Sequence, residues 1–213
     1  MAAKAVAGAW NVPLLRLDFG RLYNKYVGET ESNIRQALKT ANIMAPCILW
    51  IDELEKGVAV NDIDDGTSQR ILATLLTWMV ESNNQVFIVA TLNAIDQFPP
   101  ELIRKGRLDE VFFFDLPDTN VRNDIFRIHT NKCALDLTRI DFEKLALITE
   151  GFSSSEIEQI VVSAIYAAHT IDVLVNTRSM IEEIQVFKTL SIVMAEKIAA
   201  LRHWAKDRTV SVD

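Results

Sequence analysis

Short apolar runs alternate with longer amphipathic segments through the first half of the chain. Buried strands are predicted for four almost wholly apolar runs, residues 13–18, 46–51, 85–90 and 111–114. Helices are predicted between or beside them, at residues 2–10, 29–41, 67–81 and 99–103. Continuous apolar strands separated by helices are typical of a parallel sheet that is covered on both faces. The pattern therefore predicts a three-layer α/β domain.

Helical periodicity replaces the strand signals in the second half. Four helices are predicted there, at residues 121–130, 141–149, 153–170 and 180–202. Ser153 begins the third of these and Glu156 follows three residues later, which is the spacing of a capping box. We predict a large α/β domain over residues 1–117, a linking helix over 118–132, and a small helical domain with a C-terminal helix over 133–213.

Composition and charge narrow the classes of protein. The chain has 213 residues, of which 49% are hydrophobic and 24% charged, and a net charge of −7, which argues against an extended nucleic-acid surface. No apolar run approaches the roughly 18 residues that span a bilayer, and the first residues lack the apolar core of a secretory signal. We expect an intracellular protein. Cys47 and Cys133 have no metal-ligand spacing and are expected to be reduced and structural.

An acidic pair follows the second predicted strand, in the run CILWIDE at residues 47–53. The strand places Asp52 and Glu53 at the carboxyl edge of the sheet, where open α/β folds bind their ligands. In nucleotide hydrolases, an Asp at this place holds Mg²⁺ and a following Glu orients and deprotonates the attacking water. A strand that ends in a solvated acidic turn is the alternative, and this motif alone leaves both open.

Four motifs occur in the order and spacing of AAA ATPases: YVGETESNIR at 26–35, CILWIDE at 47–53, ATLN at 90–93 and PELIRKGRLD at 100–109. The chain resembles that family over nearly its whole length. Within it, residues 76–79 and 190–204 look like the AAA-domain proteins of cyanobacteria and algal plastids known as hypothetical chloroplast reading frames. The resemblance implies a P-loop NTPase-type parallel sheet followed by a helical lid.

The resemblance also implies a function. It is that of a homohexameric ring ATPase that uses ATP and Mg²⁺ to remodel a protein partner. The expected place is the cyanobacterial cytoplasm or the plastid stroma. Nucleic acid is not an expected partner, and no membrane span is expected.

Catalytic roles follow from the resemblance at five positions. Asp52 matches the metal-binding Asp, and Glu53 the catalytic Glu of the Walker B pair. Asn93 resembles the polar residue called sensor 1, although one additional residue after Thr91 shifts the register; an ordinary surface Asn is the alternative. Arg104 and Arg107 match the arginines that stabilise phosphoryl charge in a neighbouring subunit's site, with solvated arginines as the alternative.

A substrate-gripping loop is implied at Lys25, Tyr26, Val27 and Gly28, which resemble the first pore loop of AAA rings. An aromatic side chain beside a flexible Gly can insert between the side chains of a translocating polypeptide. Tyr26 could instead be a packed loop aromatic. Residues 61–66 correspond to the second pore loop.

Contacts with the nucleotide base are implied in the helical part. Ile125 and His129 resemble residues that border adenine and ribose, and Ser154 and Ser155 lie in a lid turn that approaches the base. The family usually has Gly-Ala where this chain has the two serines, so a bulkier side chain can crowd the nucleotide there. His129 could equally be an ordinary surface or core histidine.

The phosphate-binding motif G-x-x-x-x-G-K-[ST] does not occur in the sequence. In the resembling family that loop directly precedes the helix that corresponds to residues 1–10, and the central first strand lies before it. We therefore predict that this chain alone cannot hydrolyse ATP. Met1 is then either an internal methionine of a longer ATPase or the start of a noncatalytic subunit, and a nucleotide-independent interaction module is the further alternative.

Overall fold

A computed structural model describes residues 2–19, 29–58, 66–81, 85–95, 108–206 and 208–211. The chain divides into two compact units, Met1–Glu110 and Val111–Asp213. The helix at Thr119–Lys132, predicted as a linker, belongs to the second unit. The functional boundary at residue 117 stays a prediction.

The first unit has the predicted alternation of strands and helices. Its elements are α1 (Ala2–Trp10), β1 (Leu14–Asp18), α2 (Glu29–Ile43), β2 (Cys47–Asp52), α3 (Glu55–Val58), α4 (Thr67–Glu81) and β3 (Val86–Ala90). The α/β class is confirmed. The one-turn helix α3 was not predicted, because four residues carry too little periodicity to detect, and the helix predicted at 99–103 lies outside the described residues.

The strands form a parallel sheet in the order β1-β2-β3. The middle strand β2 is apolar over nearly its whole length because both of its faces are covered, and Ile48, Leu49 and Ile51 are all almost completely buried. Its register sets Ile51 opposite Leu17 of β1 and Ala90 of β3. The carboxyl ends of the three strands therefore meet at one edge.

Helices α2 and α4 cover one face of this sheet. Ile34, Leu38 and Ala41 recur at helical spacing along α2 and are buried, as are Ile71 and Leu75 along α4. Cys47 at the start of β2 is buried with them, and its thiol donates to the Ala41 carbonyl at 3.4 Å. Burial raises the pKa of the Cys47 thiol, which keeps the thiol protonated and unreactive near neutral pH.

The second unit is mainly helical and also contains two strands of two residues each. Its elements are β4 (Phe112–Phe113), α5 (Thr119–Lys132), a 3₁₀ turn (Leu137–Arg139), α6 (Phe142–Ile148), α7 (Ser154–Thr170), α8 (Thr177–Val186), α9 (Leu190–Val193), α10 (Ala195–Ala205) and β5 (Val210–Ser211). The predicted capping box is confirmed: Ser153 caps α7, and Glu156 binds back to the Ser153 backbone. Across the described residues of both units, none of the helices has the length and apolar character to cross a membrane.

The single helix predicted over residues 180–202 is wrong. The segment forms three helices, α8, α9 and α10, and the first break lies at Phe187, whose backbone is extended with ψ 132°. Phe187 packs on the core of the second unit, with its ring centroid 5.8 Å from that of Phe152. The break in the helix thus lets an aromatic side chain pack against the core, where it is partly buried, a gain that helical periodicity alone does not reveal.

The fourth predicted strand is shorter than expected and pairs in a different place. Only Phe112 and Phe113 are in strand conformation, and they pair in parallel with β5 near the C-terminus. Arg202 reinforces this contact: its Nε donates to both carboxylate oxygens of Asp115 at 3.0 and 2.8 Å, and this hydrogen bonding raises the pKa of Arg202. A two-residue strand such as β5 has no periodicity by which to predict it.

A buried guanidinium joins the start of α5 to α6. Arg122 is only 5% exposed, and its Nε and Nη2 donate to the Ala146 carbonyl at 3.1 and 2.9 Å. Its Nη1 donates to the Pro117 carbonyl at 2.7 Å. The positive charge lies in the last turn of α6, where the helix dipole is negative, so the buried charge is compensated by carbonyl groups.

Gly151, in the turn before α7, supports a prediction about stability. Its φ is +79°, and a Cβ built there would lie 2.6 Å from Ser191 Oγ. We expect Gly151→Ala to lower the free energy of unfolding of the second unit by about 2–4 kcal/mol, from left-handed strain and overpacking together. Urea denaturation followed by circular dichroism measures this.

The Ser191→Ala background separates the two causes, because it removes the close oxygen and leaves φ unchanged. There the cost of Gly151→Ala should fall to about 1–2 kcal/mol. A cost below about 0.5 kcal/mol in the parent background would contradict both the strain and the close contact.

Candidate functional site

The acidic pair lies where the strand order predicts, at the carboxyl edge of the parallel sheet. Asp52 is the last residue of β2 and pairs in register with Asp18 of β1, while Thr91 follows directly after β3. Glu53 begins the turn after β2 with φ +52°, a left-handed conformation that residues with a side chain rarely adopt. The carboxylates of Asp18 and Asp52 thus lie at the same edge of the sheet as Thr91.

The Asp52 carboxylate is held on both oxygens. Thr91 Oγ1 donates to Oδ1 at 2.6 Å, and Arg16 Nη2 donates to Oδ2 at 2.8 Å. The Arg16 guanidinium also lies over the Trp50 ring, 4.8 Å from its centroid, so a cation–π contact orients it towards Asp52. Each carboxylate oxygen has two lone pairs, so Asp52 keeps acceptor capacity for one more donor or ligand on each oxygen.

The Glu53 carboxylate faces two nitrogen donors. Asn93 Nδ2 donates to Oε1 at 3.3 Å, and Lys56 Nζ forms an ion pair with Oε2 at 2.6 Å. Hydrogen bonding to Glu53 raises the pKa of Lys56, so the ammonium stays charged. The structure thereby brings together Glu53 and Asn93, two residues that are 40 positions apart in the sequence.

A third carboxylate, Glu55, supports this edge from below the surface. Glu55 is only 4% exposed, and its Oε1 accepts a hydrogen bond from the backbone N–H of Asn93 at 3.1 Å. Its Oε2 is buried and has no hydrogen-bond partner among the described residues. Glu55 therefore fixes the backbone of Asn93, while the side chain of Asn93 remains directed at Glu53.

Asp52 suits a divalent cation with oxygen ligands. No group of three or more metal-ligating side chains forms within the described residues. Mg²⁺ is usually bound by one or two carboxylates together with waters and substrate phosphates, so a single partly exposed carboxylate with free lone pairs fits it. The open acceptor sites on Asp52 are the observation that supports this fit.

The four residues predicted to border the base lie in the second unit, on two helices that pack against each other. Ile125 and His129 are on α5, and His129 Nδ1 lies 3.4 Å from Glu158 Oε1 on α7. Ser154 and Ser155 form the exposed first turn of α7, and the Ser155 hydroxyl is 3.2 Å from that of Ser153. Their roles towards a nucleotide stay predictions.

Six of the predicted site residues lie outside the described residues. They are the pore-loop residues Lys25, Tyr26, Val27 and Gly28 and the two arginines Arg104 and Arg107. Their roles also stay predictions.

We call the carboxyl edge of the sheet around Asp52 and Glu53 the acidic edge. Sequence reasoning missed four of its residues, which are Arg16, Glu55, Lys56 and Thr91. Arg16 and Thr91 reach Asp52 from positions 36 and 39 residues away in sequence, so no local spacing could point to them. Thr91 did carry a signal, because it directly follows a strand predicted to lie in the same parallel sheet. Lys56 carried a weaker one, three residues after Glu53.

Comparison with known proteins identifies the family. The model of the ATPase family associated with various cellular activities (AAA) matches residues 1–116. An uncharacterised AAA domain-containing protein, ycf46, from Trieres chinensis is 47% identical over 171 residues, which cover 79% of this chain and 34% of that protein. The ycf46 protein of Gracilaria tenuistipitata var. liui is 41% identical over 208 residues, which cover 96% of this chain and 42% of that protein.

A more distant relative is the proteasome-activating nucleotidase of Aeropyrum pernix, which is 34% identical over 175 residues, or 79% of this chain and 42% of that protein. This chain thus spans less than half the length of each of these relatives. More than half of the chain matches the family model, and the predicted family is confirmed. The chain belongs to the AAA family of ATPases.

Proposed function

We propose that this chain forms the metal- and water-handling part of an ATP-hydrolysing site in an AAA ring that remodels a protein partner. The observation that carries the proposal is the grouping of Asp52, Glu53 and Asn93 at one edge of the parallel sheet. If the turn after β2 were only a solvated acidic turn, nothing would require the Asn93 amide, which follows β3, to be directed at the Glu53 carboxylate. Membership of the AAA family supplies the reaction class.

Asp52 is proposed to hold Mg²⁺ through bound water. Its two oxygens are oriented by Thr91 and Arg16 and retain lone pairs for water molecules. Bound Mg²⁺ supplies charge neutralisation at the phosphate oxygens. Arg16 is half exposed, with 52% of its side chain accessible, so solvent screens its interaction with Asp52 and a cation can replace it.

Glu53 is proposed as the general base, with Asn93 positioning the attacking water beside it. Removal of a proton from water requires a carboxylate oxygen within hydrogen-bond reach of that water. Oε1 is shared with Asn93, whereas Oε2 is held by Lys56. Because Lys56 is largely exposed, it can release Oε2 without leaving a buried charge unpaired.

The ring and its protein partner are proposed from relatives. The proteasome-activating nucleotidases are named for action on a protein machine, and this chain is 34–35% identical to those of two archaea over 79% of its length. In such a hexameric ring, Tyr26 would grip the polypeptide, and Arg104 and Arg107 would complete the neighbouring site. The ycf46 relatives of algae support a plastid or cyanobacterial location.

Nucleotide binding gives the first test of the proposal. This chain alone should show no calorimetric binding of Mg-ATP at micromolar concentrations, because its sequence has no phosphate-binding loop. A chimera that places the loop and strand of an AAA relative before Ala2 should bind it. Micromolar affinity of the chain alone would contradict the prediction and favour an unrecognised phosphate site.

Turnover in that chimera tests Glu53. Glu53→Gln should lower kcat by about 10²–10⁴-fold while nucleotide binding persists, since the amide keeps the shape and loses the basicity. Glu81→Gln, an exposed residue at the end of α4, is the matched control and should retain the parent rate. Phosphate release measures both, and a parent rate for Glu53→Gln would remove the general-base assignment.

Complementation tests Arg107. In the chimera, Arg107→Ala should reduce turnover by roughly 10³–10⁵-fold with nucleotide binding largely intact, because an arginine finger acts on the transition state. Mixing it with Glu53→Gln should restore part of the activity, since some interfaces then combine an intact Glu53 with an intact Arg107. Mixed rings that form by native mass spectrometry but stay inactive at every ratio would count against a role across the interface.

A further inference from the structure

We infer that Thr91 is a positioning residue: its hydroxyl holds the Asp52 carboxylate and the Glu53 backbone in the arrangement that directs Glu53 at Asn93. The inference rests on the proposed function, in which Asp52 and Glu53 carry the chemistry. This role belongs to the side chain of Thr91. It is separate from the backbone hydrogen bonds that Thr91 makes directly after β3.

The hydroxyl of Thr91 makes two hydrogen bonds of opposite sense. It donates its single proton to Asp52 Oδ1 at 2.6 Å and accepts from the Glu53 backbone N–H at 3.1 Å. A hydroxyl can donate and accept at once, whereas a methyl group in the same place can do neither. One oxygen atom therefore links the carboxylate proposed to hold the metal with the backbone of the proposed base.

The backbone of Thr91 brackets the same turn. Its N–H donates to the Ile51 carbonyl at 2.9 Å, and its carbonyl accepts from the Leu54 N–H at 3.0 Å. These two bonds continue the pairing of β3 with β2 and do not depend on the side chain. The contribution of the hydroxyl can therefore be separated from that of the strand.

Glu53 needs this support because its backbone is in a disfavoured conformation. Its φ of +52° lies in the left-handed region, where a Cβ crowds the backbone, and such conformations persist only when their surroundings fix them. The Thr91 hydroxyl is the acceptor for the Glu53 N–H. Without it, Glu53 can relax towards the ordinary right-handed or extended regions, which would turn its carboxylate away from Asn93.

The Asp52 carboxylate depends on the same hydroxyl. Its other partner among the described residues is Arg16, a long side chain that is half exposed, so solvent weakens this ion pair. The Thr91 bond is short and comes from a residue anchored on both sides by backbone hydrogen bonds. Thr91 thus fixes the direction of Asp52 even when Arg16 moves away.

Thr91→Val is the direct test, because valine keeps the branched shape and removes only the hydroxyl. In this 213-residue chain, amide hydrogen exchange by NMR should show the Glu53 amide exchanging at least about tenfold faster, as expected for the loss of roughly one hydrogen bond. Leu54, whose acceptor is the Thr91 backbone, should change less than about threefold and reports that the fold persists. Thr91→Ser keeps the hydroxyl and should restore slow exchange at Glu53.

In the active chimera, Thr91→Val should lower kcat by about 10- to 100-fold with KM for ATP nearly unchanged, as expected when catalytic groups are misplaced by about 1 Å. Thr91→Ser should recover most of the rate. Unchanged Glu53 exchange in Thr91→Val would overturn the inference, as would an equal loss in Thr91→Val and Thr91→Ser. If Thr91→Val does not fold, Thr91→Ala removes the same hydroxyl and is judged by the same criteria.

The two proposals fail in different ways. A parent rate in Glu53→Gln would refute the proposed base whatever the exchange rates are. If Glu53→Gln loses activity as expected and Thr91→Val leaves the exchange rate of the Glu53 amide unchanged, only the positioning role is refuted.

Discussion

The parallel pairing of β2 between β1 and β3 is the constraint on which the acidic edge depends. The apolar run of β2 is buried on both faces, and its parallel register pairs Ile51 with Leu17 of β1 and with Ala90 of β3. In that register, β2 ends at Asp52, which pairs with Asp18 of β1. Thr91 follows directly after Ala90, the residue of β3 that pairs with Ile51. Hydrophobic burial in the sheet therefore decides which polar groups meet at its edge.

The carboxyl edge of the sheet contains two features that are unfavourable for stability. Glu53 is in a left-handed conformation, and Glu55 carries a buried oxygen with no hydrogen-bond partner in the described part of the chain. Both features favour unfolding or rearrangement, since strained backbone and unsatisfied carboxylates cost free energy. The pairing of β2 and β3 offsets them by bracketing the turn with backbone hydrogen bonds. Natural proteins keep local costs of this kind mostly at functional sites, which agrees with the function proposed for this edge.

The second unit is organised by a different constraint, the burial of side chains among helices. Phe126, Leu145 and Ile157 come from three helices and are almost completely buried in one core. Arg122 joins α5 to α6 through the Ala146 carbonyl, and Phe187 packs against the core after the end of α8. The turn at Gly151 is packed against Ser191, so the conformation of this turn is coupled to the segment after α8.

The sequence by itself determined the features that depend on near neighbours. The alternation of strands and longer helices in the first unit, the capping box at Ser153 and the acidic pair after β2 all follow from spacing within a few residues, and the order of motifs predicted the family. Only the tertiary structure decided that Thr91 and Arg16 hold Asp52, that Phe187 interrupts a helix and that β4 pairs with β5. Each of these contacts joins residues that are remote in sequence or trades helical hydrogen bonds for burial. Their free energy is set by the packed sheet or core, which local patterns do not encode.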